Sequence, residues 1–291
     1  MTSSHRAERV AVVGTLNLDQ VVRVDRLPAD GETVLGVGQS ERSGGKGANQ
    51  AAAAAAVAPT ALIGAVGEDS AGTAMLDDQR AAGVNVEGVR QVPGLSGRAV
   101  IEVDAEGANR IVVLSGANAE LTAEHVTSSL DALAPDVVVT QLESPIAVTR
   151  ATAQWCRAHD TRLVLNPSPI APLDDSILAV ADPLVVNEVE AAYYGGGSDD
   201  PAAGTPDSSA ADLGTRCRSV VVTLGGAGVL VSDDASVTRI DVRRVHATDT
   251  TGAGDVFAGT LAAHLATGVD LRAAAQYAAT AATDFVTTHR G

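Results

Sequence analysis

This sequence predicts an α/β fold: a three-layer α/β/α sandwich with a mostly parallel central sheet and a small β-sheet lid. Three observations lead there. Short apolar, β-branched runs alternate with helical stretches through the second half of the chain, as parallel β-α-β units with helices on both faces require. Three other strand-like runs read as half-exposed, and so as a separate small sheet. No linker is evident, so residues 1–291 are expected to form one domain, with lid strands from about 20–45 and 95–115.

In chain order, Val10 to Gly14 is a short apolar run ending in glycine and predicts a buried strand. Thr33 to Gln39 predicts the first half-exposed strand. A helix begins near Gly47, continues through Ala51 to Ala58 and is stopped by Pro59. Ala61 to Val66 predicts a strand, and Ser70 to Ala82 a helix closed by Gly83. Arg98 to Asp104 and Arg110 to Leu114 supply the other lid strands. Strand, helix and strand follow at Val137–Gln141, Pro145–His159 and Arg162–Asn166. Leu184 to Asn187 and Val220 to Leu224 are further buried strands. Val229 to Ser232 and Val237 to Val242 suggest a pair turning at Asp233-Asp234. Helices are expected at Asp255–Ala266 and Leu271–Thr287. Gly195 to Ala211 is low-complexity and reads as a surface connection.

Composition narrows the function. Twenty basic against 36 acidic residues leave a formal charge of −16. Such a chain repels nucleic acid and anionic membrane unless it carries a local basic patch, and its densest basic cluster is only Arg243-Arg244. No nucleic-acid or membrane partner is expected. Nineteen of the basic residues are arginine; the single lysine is Lys46. Two separated cysteines, a short polar N-terminus and the lack of an apolar run of ~18 residues predict a cytoplasmic protein.

Asp249-Thr250-Thr251-Gly252-Ala253-Gly254-Asp255 is the most informative segment. A glycine-bracketed turn feeds into a helix whose first N–H groups lack intrahelical partners and whose dipole favours an anion. Asp255 in that first turn is placed to act as a general base for a hydroxyl beside a bound phosphate. Far upstream, Ser43-Gly44-Gly45-Lys46-Gly47-Ala48-Asn49-Gln50 opens an alanine-rich helix. Polar residues also fall at the carboxyl ends of expected strands, where α/β sheets gather ligands: Asn17, Asp19, Glu143, Asn166 and Asn187, with Gly225 after Thr223-Leu224.

The paired segments resemble the signatures of the ribokinase-like (PfkB) carbohydrate kinases. Gly14-Thr15-Leu16-Asn17-Leu18-Asp19, Pro28 to Thr33, Ser115-Gly116-Ala117-Asn118, Gln141-Leu142-Glu143-Ser144-Pro145, Leu165-Asn166-Pro167-Ser168-Pro169 and Asn187-Glu188-Val189-Glu190 extend the resemblance from Val10 to Gly291. It implies ATP-dependent phosphorylation of D-ribose at the 5-hydroxyl. Asp255 is then the base, and Gly252, Ala253 and Gly254 form the anion hole. Asn17, Asp19, Gly44, Gly45, Asn49 and Glu143 would bind the sugar, with Lys46 at the sugar end near the transferred phosphate. Ala99, Ile101 and Ile111 would present lid side chains over it. Asn187, Thr223, Gly225 and Gly228 would line the nucleotide site. Glu190, with Asn187, would support Mg²⁺ through water. Asp249 and Thr251 match ligands of an activating K⁺. A homodimer joined through the lids is also implied.

The sequence departs from the pattern in two places. Val186 stands where proline is common, and the chain stops at Thr287-Thr288-His289-Arg290-Gly291, where the family continues with further cation ligands and part of the adenine pocket. K⁺ activation and tight ATP binding are the properties this puts in question. Three other readings stay open: a PfkB kinase for another sugar or a nucleoside, a non-catalytic sugar sensor on this scaffold, and a purely structural α/β protein. The lid segments contain no Phe, Tyr or Trp to stack on a nucleoside, and an intact Asp255 turn argues against a sensor.

Overall fold

The computed structural model describes residues 9–195, 205–233, 236–245 and 250–288. From the N-terminal side, β1 (Val10–Val13) leads to β2 (Asn17–Val24), β3 (Gly36–Gly44), α1 (Lys46–Ala55), β4 (Thr60–Gly67), α2 (Ser70–Ala81) and β5 (Asn85–Val92). Next come β6 (Gly97–Val103), β7 (Asn109–Leu114), α3 (Ala123–Leu133), β8 (Val137–Thr140), α4 (Ile146–His159) and β9 (Arg162–Leu165). A single turn, α5 (Asp175–Leu178), precedes β10 (Ala181–Asn187), α6 (Glu188–Tyr194) and α7 (Pro206–Gly214). Then follow β11 (Val220–Thr223), β12 (Val229–Asp233), β13 (Ser236–Ile240), α8 (Ala253–Ala266) and α9 (Leu271–Thr288).

Nine of these strands form one sheet in the order β13-β12-β11-β10-β9-β8-β1-β4-β5. Every pairing from β5 across to β11 is parallel; β12 and β13 join antiparallel. Alternation along each strand sends side chains to two separate cores. Val10 and Val12 pack with the buried faces of α1, α2, α8 and α9, while Ala11 and Val13 pack with those of α3 to α7. That is the three-layer α/β architecture. With few aromatics, the cores are built from Val, Leu, Ile and Ala, each fully buried Val or Leu contributing roughly 1.5–3 kcal/mol.

The remaining four strands make the lid, in the order β3-β2-β6-β7. Here the lid differs from the sequence reading. Asn17 to Val24, for which no strand was expected, is a full strand, and its partner begins at Gly36, not Thr33. The polar Gln39 to Ser43 stretch is in strand because β2 supplies its ladder; no local apolar pattern announced it. The expected turn at Asp233-Asp234 falls partly outside the described residues, as do residues 196–204 of the Gly195–Ala211 segment. The end of that segment is not a surface connection, because Pro206 to Ala211 open α7 behind a Thr205 cap, with Ser209 and Ala210 buried. No helix among the described residues is long and apolar enough to cross a membrane.

Candidate active site

Helix α8 carries the centre of the site. Ten of its 14 residues are buried, because it lies on the sheet between α1 and α9. Its N-cap, Gly252, has φ +85°, a left-handed conformation that costs glycine little. Asp255, one turn in, is buried at 7 % exposure.

A close helix contact brings α1 to this carboxylate. A Cβ on Gly259 would lie 2.2 Å from the backbone oxygen of Gln50, so only glycine allows the two helices this separation. The approach puts Asn49 Nδ2 3.1 Å from Asp255 Oδ2 and Gln50 Nε2 3.0 Å from Asp255 Oδ1, each donating. Lys46 Nζ lies 3.9 Å from the same Oδ1.

Behind Asp255 runs a chain of buried amides, of which only Asn166 was expected at the site, as a polar strand end. Gln141 Nε2 donates to Gln50 Oε1 at 2.6 Å. Gln50 Nε2 also reaches Asn166 Oδ1 at 3.2 Å, and Asn166 Nδ2 donates to Val185 O at 2.9 Å. Gln50 and Asn166 lay within motifs already singled out; their burial, the sign of a positioning role, is visible only in three dimensions.

The expected sugar residues gather on the lid side. Glu143 Oε2 accepts from the Thr15 hydroxyl and from the Lys46 backbone N–H at 3.1 Å. Asp19 stands on β2 beside Arg42, with a guanidinium nitrogen 3.6 Å from its carboxylate. Burial pushes the Asp19 carboxyl above its ordinary range; Arg42 opposes the rise, and the negative Glu143 and Asp255 add to it. Asn17 is buried, and its Oδ1 accepts from Asn118 Nδ2 at 2.8 Å, so this side chain also braces the lid base. Gly44 lies directly under the Asp19 carboxylate and Gly45 against Asn17. Of the lid side chains, Ala99 and Ile101 are buried, whereas Ile111 is exposed on edge strand β7.

On the other side, Lys46, Asn187, Glu190, Thr223, Gly252, Gly254 and Asp255 line one cavity of about 120 Å³, together with Asn166, Ser168 and Val185–Val186. Asn187 and Glu190 form a reciprocal cap on α6: Asn187 Oδ1 accepts the Glu190 amide at 2.8 Å and Glu190 Oε2 the Asn187 amide at 2.9 Å. Thr223 ends β11 at the cavity. Gly225 and Gly228 lie beyond it in the next turn, where a Cβ on Gly228 would be 2.3 Å from Ile240 O. Gly228 therefore fits β13 rather than lining this cavity.

The Gly252 turn also differs in detail from the expected anion hole. The Ala253 amide donates to Thr250 O at 3.1 Å. Donors for an anion therefore come first from its neighbours at the helix start. Thr251 is exposed at the entry to the turn, and Asp249 lies outside the described residues. Among the described residues, no cluster of three or more His, Cys, Asp or Glu could hold a metal ion.

What the arrangement can do chemically follows. A buried carboxylate, held by two amides and an ammonium, lies between a polar, hydroxyl-accepting cluster and a helix N-terminus that favours anions. That is the equipment for moving a phosphoryl group onto an alcohol.

Comparison with known proteins agrees. Residues 7–291 match the model of the "pfkB family carbohydrate kinase". The chain is 35% identical over 276 residues to ribokinase of Bacillus subtilis, covering 94% of this chain and 91% of that protein. The structure is similar to that of ribokinase from Thermotoga maritima, with TM-score 0.88, 30% identity and coverage of 98% and 94%. It is also similar to Arabidopsis thaliana ribokinase complexed with ribose and ATP, with TM-score 0.86, 27% identity and the same coverage.

Proposed function

This chain belongs to the pfkB family of carbohydrate kinases and is itself a carbohydrate kinase; on that premise we propose that it transfers the γ-phosphoryl group of ATP to the 5-hydroxyl of D-ribose, with Asp255 as general base. The observation that carries this reading is the position of Asp255. One buried carboxylate adjoins both the Asp19, Asn49 and Glu143 cluster and the Gly252–Gly254 turn. Relatives named ribokinase support the choice of sugar.

In this reading the sugar's ring hydroxyls bind Asp19, Glu143 and neighbouring amides, which fix its orientation. The 5-hydroxyl gives its proton to Asp255 as its oxygen bonds to the γ-phosphorus. The bond from that phosphorus to the β–γ bridging oxygen breaks, and ADP leaves. Lys46 and the amides around Gly252 and Gly254 stabilise the charge on the transferred group. One or two carboxylates suffice for Mg²⁺ that arrives with nucleotide phosphates, and buried Glu190 beside Asn187 fits that need. Mg²⁺ would supply charge neutralisation on the phosphate oxygens. The reading retains K⁺ activation through Asp249 and Thr251, tested by omitting K⁺ from the assay.

We read the chain as one kinase domain carrying its own lid, in a cytoplasmic homodimer. Support for the dimer is the apolar stripe Ile111, Val112, Val113 and Leu114 on edge strand β7, each more than half exposed. Both thiols, Cys156 and Cys217, are free and buried, as a reducing compartment permits.

Coupled ADP release with ATP-Mg²⁺ over D-ribose, 2-deoxyribose, D-fructose and adenosine tests the assignment. Turnover selective for ribose is expected. Selectivity for another acceptor overturns the substrate, and ribose binding without turnover would make the protein a sugar sensor.

A further inference from the structure

We propose that Arg42 of β3 is a positioning residue for sugar binding: its guanidinium keeps Asp19 in the ionised, hydroxyl-accepting form. This rests on the reading above that Asp19 binds the sugar.

The geometry supports a dedicated pair. Asp19 and Arg42 are register partners across β2 and β3, so their side chains share one face of the lid. On the other flank of β2 the register partner of Asp19 is Ala99, which carries no charge. Gly44 provides the seat. A Cβ there would lie 2.3–2.6 Å from all three carboxyl atoms of Asp19, so the carboxylate rests on a bare backbone. Among the described residues, Arg42 makes the one ion pair of Asp19, at 3.6 Å.

The charges around Asp19 make that pair useful. Glu143, from the segment after β8, and Asp255, from α8, both bear on it and both are negative. Lys46 lies 3.9 Å from Asp255 and is paired there. Burial and two neighbouring carboxylates therefore favour a protonated Asp19, and Arg42 opposes them. A protonated carboxyl loses half of what a polyol site needs, since it donates where it should accept. Arg42 is half-exposed, so its pull is moderate rather than that of a buried pair.

The test compares the pH dependence of kcat/KM for ribose in the wild type, Arg42→Gln and Arg42→Lys. In Arg42→Gln the acid limb is expected to move to higher pH by about half a unit or more. Arg42→Lys, which keeps the charge, should restore it. A merely structural contribution to the lid would lower activity at every pH and leave the limb in place. An unmoved limb in Arg42→Gln, or an equal displacement in Arg42→Lys, overturns the proposal. Carboxyl ¹³C NMR of Asp19, assigned with Asp19→Asn, follows the same titration without turnover. If the wild type does not phosphorylate ribose, the functional reading fails. The pair still stands or falls on whether Arg42→Gln raises the NMR midpoint.

Discussion

Gln50 Nε2 stands 3.0 Å from Asp255 Oδ1 and donates to it across the contact between α1 and α8. Gln50 is fully buried, and its own oxygen is held by Gln141. The proposed base thus has one oxygen directed by a rigid amide chain. A reacting group misplaced by about 1 Å can cost on the order of 10²-fold in rate. Gln50→Leu should accordingly lower kcat by about that factor with little change in the KM for ribose. Steady-state kinetics check this; a selective rise in KM would place Gln50 in sugar binding instead.

Gly259→Ala tests the helix contact itself. The added methyl would meet Gln50 O at 2.2 Å, and neither backbone can yield cheaply. A loss of about 1–3 kcal/mol is expected, typical of overpacking, read from urea midpoints. kcat should fall with it, because Asn49 and Gln50 move away from Asp255. A variant of wild-type stability and activity would show that the helices can separate without consequence.

Lys46 is the single lysine of the chain and lies 3.9 Å from Asp255 with 27 % side-chain exposure. An amine-directed reagent should therefore label one side chain, in addition to any free α-amine, and abolish activity in proportion. Ribose with a non-hydrolysable ATP analogue should protect it. Peptide mapping by mass spectrometry gives the answer; labelling without loss of activity would remove Lys46 from the site.

Asp19 predicts a pH signature in stability. Its carboxyl is raised, chiefly by burial, above the value of 3.8 it has in an unfolded chain. Between that value and the raised one, the native state binds more protons than the unfolded state. Stability therefore falls as pH rises through that window, and the deficit persists above it. Asp19→Asn should be at least as stable as the wild type at pH 7, and the difference should vanish below the unfolded value. Ribose binding should meanwhile weaken by about 10–100-fold, the worth of a charge-assisted hydrogen bond. Denaturation at several pH values and calorimetric titration measure both.

How much of this was legible in the sequence follows from the kind of signal involved. Buried strands such as Val137–Thr140 and Val220–Thr223 announce themselves as unbroken β-branched runs, and α8 by its turn and apolar length. β5 was missed because Asn85–Val92 is an outer strand of mixed polarity; α3 was legible but went unread, since Val126, Leu130 and Leu133 recur at helical spacing behind the Thr122 cap. β2 was missed and the start of β3 misplaced because lid strands take their order from each other's ladders. At the site, the turn, the Lys46 motif and the polar strand ends were readable, since each sits at a local boundary. The Gln141–Gln50–Asn166 chain was not, because it joins three distant segments through side chains. Nor was the Asp19–Arg42 pair, which depends on strand register.

Asp255→Asn is the most direct measurement of the central claim. The substitution keeps the shape of the side chain and removes the proton acceptor, leaving one acceptor oxygen where Asn49 and Gln50 now donate to two. Ribose phosphorylation should fall by about 10²–10⁴-fold, the range of general-base catalysis. Ribose binding, followed by calorimetry, should stay within a few-fold, and wild-type product should carry phosphate on O5 by ³¹P–¹H NMR. An Asp255→Asn enzyme that retains activity within about tenfold would contradict Asp255 as the base.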